Sequence, residues 1–296
     1  MRETIATYFQ TLQDQICQAL ETADGRGHFQ EDNWKHHSGG GGRTRILQEG
    51  NIIEKGGVNF SQVQGQTSEA LMRQMNLSEQ ADYFATGVSI VMHPVSPMVP
   101  IIHMNVRYFE MSNGTSWFGG GIDLTPHYVV DEDAQWFHQQ LKNTCDQHHP
   151  EYYSRYKKWA DDYFFIPHRQ ETRGVGGIFF DYQKPESDLE KLKLFDFVKA
   201  VGETFAPTYT HLMLKNQALS FGDAEKQWQL VRRGRYVEFN LAWDRGTKFG
   251  LETGGRTESI LMSLPPLAGW KYDYQPEPES REAQTLLLLK KGIEWA

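Results

Sequence analysis

Side chains suited to proton transfer and anion binding alternate with apolar ones between Ile101 and Pro126. Successive side chains of a strand point to opposite faces, so a strand here places His103, Asn105 and Arg107 in one row, about 7 Å apart. An imidazole exchanges protons near neutral pH, and a guanidinium binds carboxylate or phosphate. The pattern predicts a cationic, proton-handling face for an anionic ligand. The alternative is a hairpin whose polar face is merely solvated.

The Asn113-Gly114 pair predicts a hairpin turn after this strand. The returning strand, WFGGGIDLTP, carries Asp123. The preceding strand, GVSIVMHP, has the same alternation and ends in a proline-rich connection. These two strands are therefore expected to aim His93 and His103 at one place.

Four of the eleven histidines lie beside structured, apolar sequence and could bind a metal: His93, His103, His138 and His168. No HExxH or other compact ligand spacing occurs, so such a site would have to be assembled from distant segments. Imidazole ligands suit several metals, and their type alone does not identify the ion. For each histidine the alternative is a hydrogen-bonded structural imidazole. Ligation and proton donation by His103 exclude each other in one state.

Arginines follow or precede glycines in three segments, GGGGRTR, HRQETRGVGG and TGGRTES. Arginine binds carboxylate or phosphate with two parallel hydrogen bonds, and neighbouring glycines let backbone N–H groups approach the same anion. Together with Arg107, these segments predict a small ligand with several negative charges. For the four glycines at 39–42, a flexible linker is the alternative.

The composition narrows the class of protein. The chain has 296 residues, 39% of them hydrophobic, and a formal net charge of −8. The acidic balance argues against nucleic-acid binding as the main function, because the phosphate backbone requires a basic footprint. Two cysteines, Cys17 and Cys145, argue against a disulfide framework and an iron–sulfur cluster, and favour a reducing, cytoplasmic location.

The N-terminus lacks the apolar segment of a signal peptide and carries acidic residues, and it does not resemble a transit peptide. The longest apolar runs are far too short to span a bilayer. We therefore expect no membrane span.

Periodicity predicts an amphipathic helix at about residues 3–22, a modest helix over 67–80 and a helix from Asp131. A capping box at Ser187 predicts a long helix that ends at about Thr204. The alternating segment RYVEFNLAWD predicts a strand. The fold class expected is α+β, with residues 1–296 forming a single domain in which helices flank both faces of a large, mainly antiparallel sheet.

Taken together, the motifs NVRYFE, WFGGGIDLTPHY, YKKWADDYF, HRQETRGVGGIFFD and EFNLAWDRGTKFGLETGGRTESILMSLPP resemble the oxygen-dependent coproporphyrinogen III oxidases. The resemblance extends over about residues 33–274. It implies a flat antiparallel sheet flanked by helices, a homodimer, and conversion of the ring A and B propionates of coproporphyrinogen III to vinyls. It also implies O2 as co-substrate, release of CO2 and hydrogen peroxide, and no organic cofactor.

The resemblance also assigns residues. Those expected to contact substrate are Ser89, Asn105, Val106, Arg107, Gly254, Gly255 and Arg256. His103 is the expected proton donor, and Asp123 is expected to engage pyrrole N–H groups. A divalent metal, expected to be manganese, would be bound by His93, His103, His138 and His168. Residues 236–271 are expected to take part in dimerisation.

These assignments conflict with a plain two-residue turn at Asn113-Gly114. Such a turn would pair Met104 with Asp123 and place the carboxylate on the face away from His103. We therefore predict one change of parity between Ser112 and Gly121, through a bulge at Gly119–Gly121 or a longer turn. We also expect Asp123→Ala to lower turnover greatly and leave the fold intact.

Two competing interpretations are a histidine-bound metal oxygenase acting on the same substrate and a porphyrin carrier without catalysis. The paired presence of His103 and Asp123 argues against a carrier, which requires only cationic and apolar contacts.

Overall fold

A seven-stranded antiparallel sheet organises the chain, with six strands adjacent in sequence order and the last strand, Gly176–Gln183, beside the sixth. The computed structural model describes residues 1–67, 69, 72, 78–252 and 254–296. The helix predicted over 67–80 falls mostly outside these residues. The strands of the sheet are β1 Gln30–Lys35, β2 Gly40–Gln48, β3 Ile53–Gln66, β4 Asp82–Pro94, β5 Ile101–Met111, β6 Ser116–Thr125 and β9 Gly176–Gln183. A separate pair consists of β7 Phe165–Ile166 and β8 Glu171–Thr172.

Among the described residues, one helix precedes all the strands, and the others lie after β6 or after β9. The helices of the described residues are α1 Arg2–Asp24, α2 Asp131–Asp146, α3 Tyr152–Tyr163, α4 Asp188–Asn216, α5 Asp223–Ala242, α6 Arg245–Glu252, α7 Thr257–Leu261 and α8 Arg281–Leu288. None of these helices is long and apolar enough to cross a membrane.

The main core lies between one face of the sheet and helices α1, α2 and α4. On β5 the even-numbered side chains Ile102, Met104 and Val106 are fully buried there. The odd-numbered side chains of β5 are only half-buried from His103 to Phe109, so the alternation predicted from the sequence is confirmed. Each fully buried aliphatic side chain contributes roughly 1.5–3 kcal/mol, which holds the strand in this register.

The opposite face is covered only in part. Tyr236 of α5 packs on Val91 and Ile101, and Phe239 packs with Phe164 and Phe179. Helices thus contact both faces, as predicted for the α+β class. The odd-numbered side chains of β5 lie on this second face.

Two predictions of secondary structure are wrong. Residues 235–242 of the predicted strand RYVEFNLAWD are the last turns of α5, in which Trp228, Arg232, Arg235 and Phe239 are buried at helical spacing. The period of two arose because the buried stripe of this helix is wide and polar side chains interrupt it. The helix predicted to end at about Thr204 continues to Asn216 through Pro207, because tertiary packing outweighs the lost backbone hydrogen bond.

Candidate active site

A three-residue turn sets the geometry of the second sheet face. Strand β5 pairs with β6 so that His103 lies opposite Asp123 and Glu110 opposite Ser116. The Met111 N–H donates to the Thr115 carbonyl at 2.8 Å and closes a turn over residues 112–114. The predicted change of parity is therefore confirmed, and it arises in the turn, with no irregularity of the β5–β6 pairing at Gly119–Gly121. Asp123 consequently shares a face with His103.

Asp123 joins His103 to a buried arginine. His103 Nδ1 lies 2.8 Å from Asp123 Oδ1. Arg173 Nη2 donates to both carboxylate oxygens at 2.7 and 2.8 Å, and its Nε donates to Oδ2 at 3.2 Å. The side chains of Asp123 and Arg173 are 1% and 3% exposed, whereas that of His103 is 21% exposed. The carboxylate is thus sealed in the protein, and the imidazole reaches the open face.

Three aromatic rings hold the Arg173 guanidinium. Its Cζ lies 4.5 Å from the ring centre of Phe164 and 4.7 Å from those of Tyr236 and Phe239. Such contacts attract a desolvated cation. Burial alone would raise the pKa of Asp123, but the Arg173 charge and the His103 hydrogen bond outweigh it and lower that pKa below its usual value.

The ionised carboxylate fixes the imidazole. A carboxylate only accepts hydrogen bonds, so His103 donates from Nδ1. Nε2 is then the ring nitrogen available to take or give a proton on the open face. The arrangement can therefore perform acid–base chemistry at one defined atom.

Both oxygens of Asp123, the residue expected to engage pyrrole N–H groups, already have protein partners. The sequence predicts for Arg173 only a place in a general anion-binding segment, HRQETRGVGG. Arg173 pairs with Asp123, which lies 50 residues away in the sequence. The segment RGVGG is the one local signal of this arginine, and it does not indicate the partner.

Polar residues extend from His103 along β5. Arg107 Nη1 donates to Asn105 Oδ1 at 2.8 Å, and Arg107 Nη2 lies 2.8 Å from Asp181 Oδ2 of β9. Ser89 of β4 pairs directly with Asn105. The predicted substrate contacts Ser89, Asn105 and Arg107 therefore share the face of His103. Val106 does not, because its side chain is fully buried in the main core.

The row continues to the other edge of the sheet. Asn59 pairs with Ser89, and Thr44 donates to Asn59 Oδ1 at 2.7 Å. Ser259 of α7 lies 2.8 Å from the Thr44 hydroxyl, and Arg256 donates to Ser259 Oγ at 3.4 Å. Arg256 thus lies on the same face as Arg107, on the side of β1. The predicted contacts Gly254 and Gly255 immediately precede it, between α6 and α7.

A second carboxylate of the site, which is half-buried, was not predicted. Asp244 follows α5 and accepts hydrogen bonds from the Tyr163 hydroxyl at 2.8 Å and the Thr247 hydroxyl at 2.7 Å. Burial opposes its ionisation, but the hydrogen bonds from Thr247 and Tyr163, helped by His103, lower its pKa. Its place in the segment WDRG after an aromatic helix carried no recognisable signal.

The four histidines proposed as metal ligands do not lie together. His138 is buried in the main core, where Nδ1 accepts from the Tyr153 hydroxyl at 3.0 Å and Nε2 donates to the Val175 carbonyl at 2.9 Å. His168 is bound by Glu238 and Trp243 through its two nitrogens. His93 donates to the Ser263 carbonyl at 2.8 Å, on the face of His103. Among the described residues, no group of three potential ligands could hold a metal.

Other arginines of the arginine–glycine segments are also paired with carboxylates of the protein. Arg43 and Arg45 point to the α1 side of the sheet, where each lies 2.7 Å from Asp14. Arg169 donates to both oxygens of Glu238 at 2.7 and 2.8 Å. The expectation that all three segments serve one ligand is therefore wrong for Arg43 and Arg45, which lie on the opposite face from His103.

Comparison with known proteins identifies the family of this chain. The sequence profile of the coproporphyrinogen III oxidase family matches residues 4–295. An oxygen-dependent coproporphyrinogen-III oxidase of Synechococcus sp. (strain CC9605) is 46% identical over 317 aligned positions, which cover 99% of this chain and 87% of that protein. The enzyme of the same name from Parasynechococcus marenigrum (strain WH8102) is 48% identical, with 96% and 84% covered. That from Prochlorococcus marinus (strain NATL2A) is also 48% identical, with 96% and 88% covered. The chain belongs to the coproporphyrinogen III oxidase family.

Proposed function

We propose that this chain oxidatively decarboxylates the ring A and B propionates of coproporphyrinogen III to vinyls. The observation that carries the proposal is His103, fixed by Asp123 and Arg173, on the same open face as Arg107. In each step a propionate loses CO2 and two hydrogens, and O2 takes up two electrons and two protons to form hydrogen peroxide. Two such steps give protoporphyrinogen IX.

The protein supplies orientation and a proton site in this reaction. The reduced macrocycle is electron-rich and delivers the electrons to O2, so no organic cofactor is required. Arg107 and Arg256 hold propionates and orient the reacting one. Nε2 of His103 exchanges the proton, while Asp123 acts through Nδ1 and stabilises the imidazolium that forms.

A metal implied by the family does not fit the described residues as one site. Both ring nitrogens of His138 and of His168 already have protein partners, and His138 lies in the core on the other side of the sheet. We therefore route no step through a metal.

We further propose that the chain works as a homodimer in the cytoplasm. Apolar side chains of the segment 236–271 are exposed at 47% for Leu241, 43% for Trp243 and 55% for Trp270. An exposed apolar patch of this kind supports an interface. The two cysteines are buried free thiols, which suits a reducing compartment.

The test is incubation of the purified protein with coproporphyrinogen III in air, with product separation by chromatography and measurement of hydrogen peroxide. We expect vinyl products and one hydrogen peroxide for each vinyl formed. Binding without conversion would identify a carrier and refute the proposal. A parallel reaction with a strong chelator separates a metal-dependent oxygenase, whose activity would disappear. Light scattering of the wild type and of Trp270→Glu tests the dimer, because a charge at this patch should shift the mass towards the monomer.

A further inference from the structure

Each of the two arginines proposed to hold propionates is already bound by a carboxylate of the protein. Arg107 Nη2 lies 2.8 Å from Asp181 Oδ2. Arg256 Nη2 pairs with Asp32 of β1. A guanidinium presents a planar fork that one carboxylate can occupy. A substrate propionate and the aspartate would therefore compete for the same donors.

The pair of Arg107 and Asp181 is built into the sheet. Phe118 pairs with Gln183, but Gly120 pairs with Phe180, so a bulge on β9 sets Asp181 and its neighbour against Gly119. A Cβ at Gly119 would lie 2.6 Å from Asp181 Oδ1 and 2.9 Å from Arg107 Nε. The ion pair thus lies flat across Gly119, a position where the strand carries no side chain.

The exposure of these pairs separates them from the buried pair of Asp123 and Arg173. Arg107 and Asp181 are 36% and 18% exposed, and Arg256 and Asp32 are 29% and 53% exposed. Partly exposed ion pairs are weak, because water solvates the separated charges. An incoming carboxylate can displace such a partner. It has no access to the pair of Asp123 and Arg173, whose side chains are 1% and 3% exposed.

We propose that Asp181 and Asp32 are exchange carboxylates, which occupy the propionate subsites of Arg107 and Arg256 until substrate binds. This inference rests on the proposed function. A macrocycle with carboxylates at the matching positions displaces both aspartates and regains the arginine contacts. A macrocycle without carboxylates leaves the aspartates in place and gains no contact with either arginine. The two aspartates therefore weaken the binding of carboxylated ligands and leave the binding of uncharged macrocycles unchanged.

The experiment measures binding of coproporphyrin III, which keeps the four propionates but is already fully oxidised and does not react. Fluorescence titration compares the wild type with Asp181→Asn and Asp32→Asn, which keep the shape of the side chain. A weak ion pair biases affinity by roughly threefold to fivefold. We expect each variant to bind coproporphyrin III tighter by that factor. The factors should multiply in the double variant, because the two pairs lie towards opposite edges of the same sheet face and share no partner.

Two controls isolate the exchange. The tetramethyl ester of coproporphyrin III, dispersed in detergent, should bind the wild type and both variants equally. Asp14→Asn removes a matched aspartate from Arg43 and Arg45 on the other face of the sheet. This variant should bind coproporphyrin III and its tetramethyl ester with the affinities of the wild type.

Unchanged or weaker binding of coproporphyrin III by both aspartate variants would overturn the inference, because the aspartates would then merely support the arginines. Because Asp32 is mostly exposed, Asp32→Asn gives a readout even if Asp181→Asn fails to fold. If the wild type binds coproporphyrin III but forms no vinyl products from coproporphyrinogen III, the proposed function fails and the exchange is still measured by titration. If the wild type forms vinyl products from coproporphyrinogen III but does not bind coproporphyrin III, the exchange proposal is refuted and the proposed function stands.

Discussion

Replacement of Asp123 by Asn should lower stability and turnover by two separable routes. The substitution leaves Arg173, which is 3% exposed, without its counter-charge. Breaking a buried ion pair from one side costs about 3–5 kcal/mol. The same substitution removes the carboxylate that fixes His103 Nδ1, and loss of a positioned proton donor costs roughly 10²–10⁴-fold in kcat. The expectation from the sequence that the fold stays intact is therefore revised.

A second variant separates the two effects. Asp123→Leu combined with Arg173→Met replaces the ion pair by apolar side chains in a site already walled by Phe164 and Phe239. Such replacements are often neutral or stabilising. We expect the double variant to recover most of the free energy of unfolding lost in Asp123→Asn and to remain inactive, because His103 still lacks its carboxylate.

Urea denaturation gives the free energies of unfolding, and vinyl formation in air gives kcat for each variant. Wild-type stability in Asp123→Asn would show that Arg173 does not depend on this carboxylate. Recovery of turnover in the double variant would refute the role of Asp123 in fixing the imidazole. Loss of stability in the double variant comparable to that in Asp123→Asn would show that the cost lies in packing and not in charge.

Three further predictions concern stability. Burial lowers the pKa of His93 to about 3 and of His138 to about 4, whereas an unfolded histidine titrates near 6.5. Each buried histidine therefore lowers the free energy of unfolding by about 1.4 kcal/mol per pH unit below 6.5. The stability gap between wild type and His138→Gln should narrow by that amount from pH 6 to 5 in urea melts. Burial opposes ionisation of Glu238, but hydrogen bonds from its partners lower its pKa to about 2. The destabilisation by Glu238→Gln, measured by thermal melts, should therefore be full above pH 4.5 and fade as the pH falls towards 2. Gly114→Ala should lower the free energy of unfolding by about 1–2 kcal/mol in urea melts, because Gly114 has a φ of +87°, which strains a residue with a Cβ. Nothing lies within 4 Å of an added Cβ, so this backbone strain is the whole cost.

Local rules predicted the part of the site that one hairpin carries. The alternation along β5 fixed which side chains face the core, because burying one apolar face excludes the other register. The parity argument required a longer turn or a bulge before Asp123 could reach His103, and the three-residue turn supplies it. Both inferences needed only the geometry of adjacent strands.

These local rules could not predict contacts between segments that are distant in the sequence. The partner of Asp123 is Arg173, which reaches it through the pairing of β6 with β9. No periodicity connects the two positions, so the arginine could be recognised as an anion binder but not assigned a partner. The strand predicted over the segment 235–242 was wrong for a related reason. Its polar side chains Arg235 and Glu238 pair with Glu171 and Arg169, which are distant in the sequence.

Burial assigns different roles to the three arginine–aspartate pairs of the site face. Displacing Asp123 from Arg173 would leave two desolvated charges unpaired, at a cost of several kcal/mol for each ion, so this pair is a permanent part of the structure. Arg107 with Asp181 and Arg256 with Asp32 keep contact with water, so a propionate can replace the aspartate at the guanidinium while water solvates the freed aspartate. Two carboxylates of a ligand can therefore pair with these arginines without leaving a buried charge unpaired. The buried pair then keeps His103 in one tautomer while the exposed arginines change partners around it.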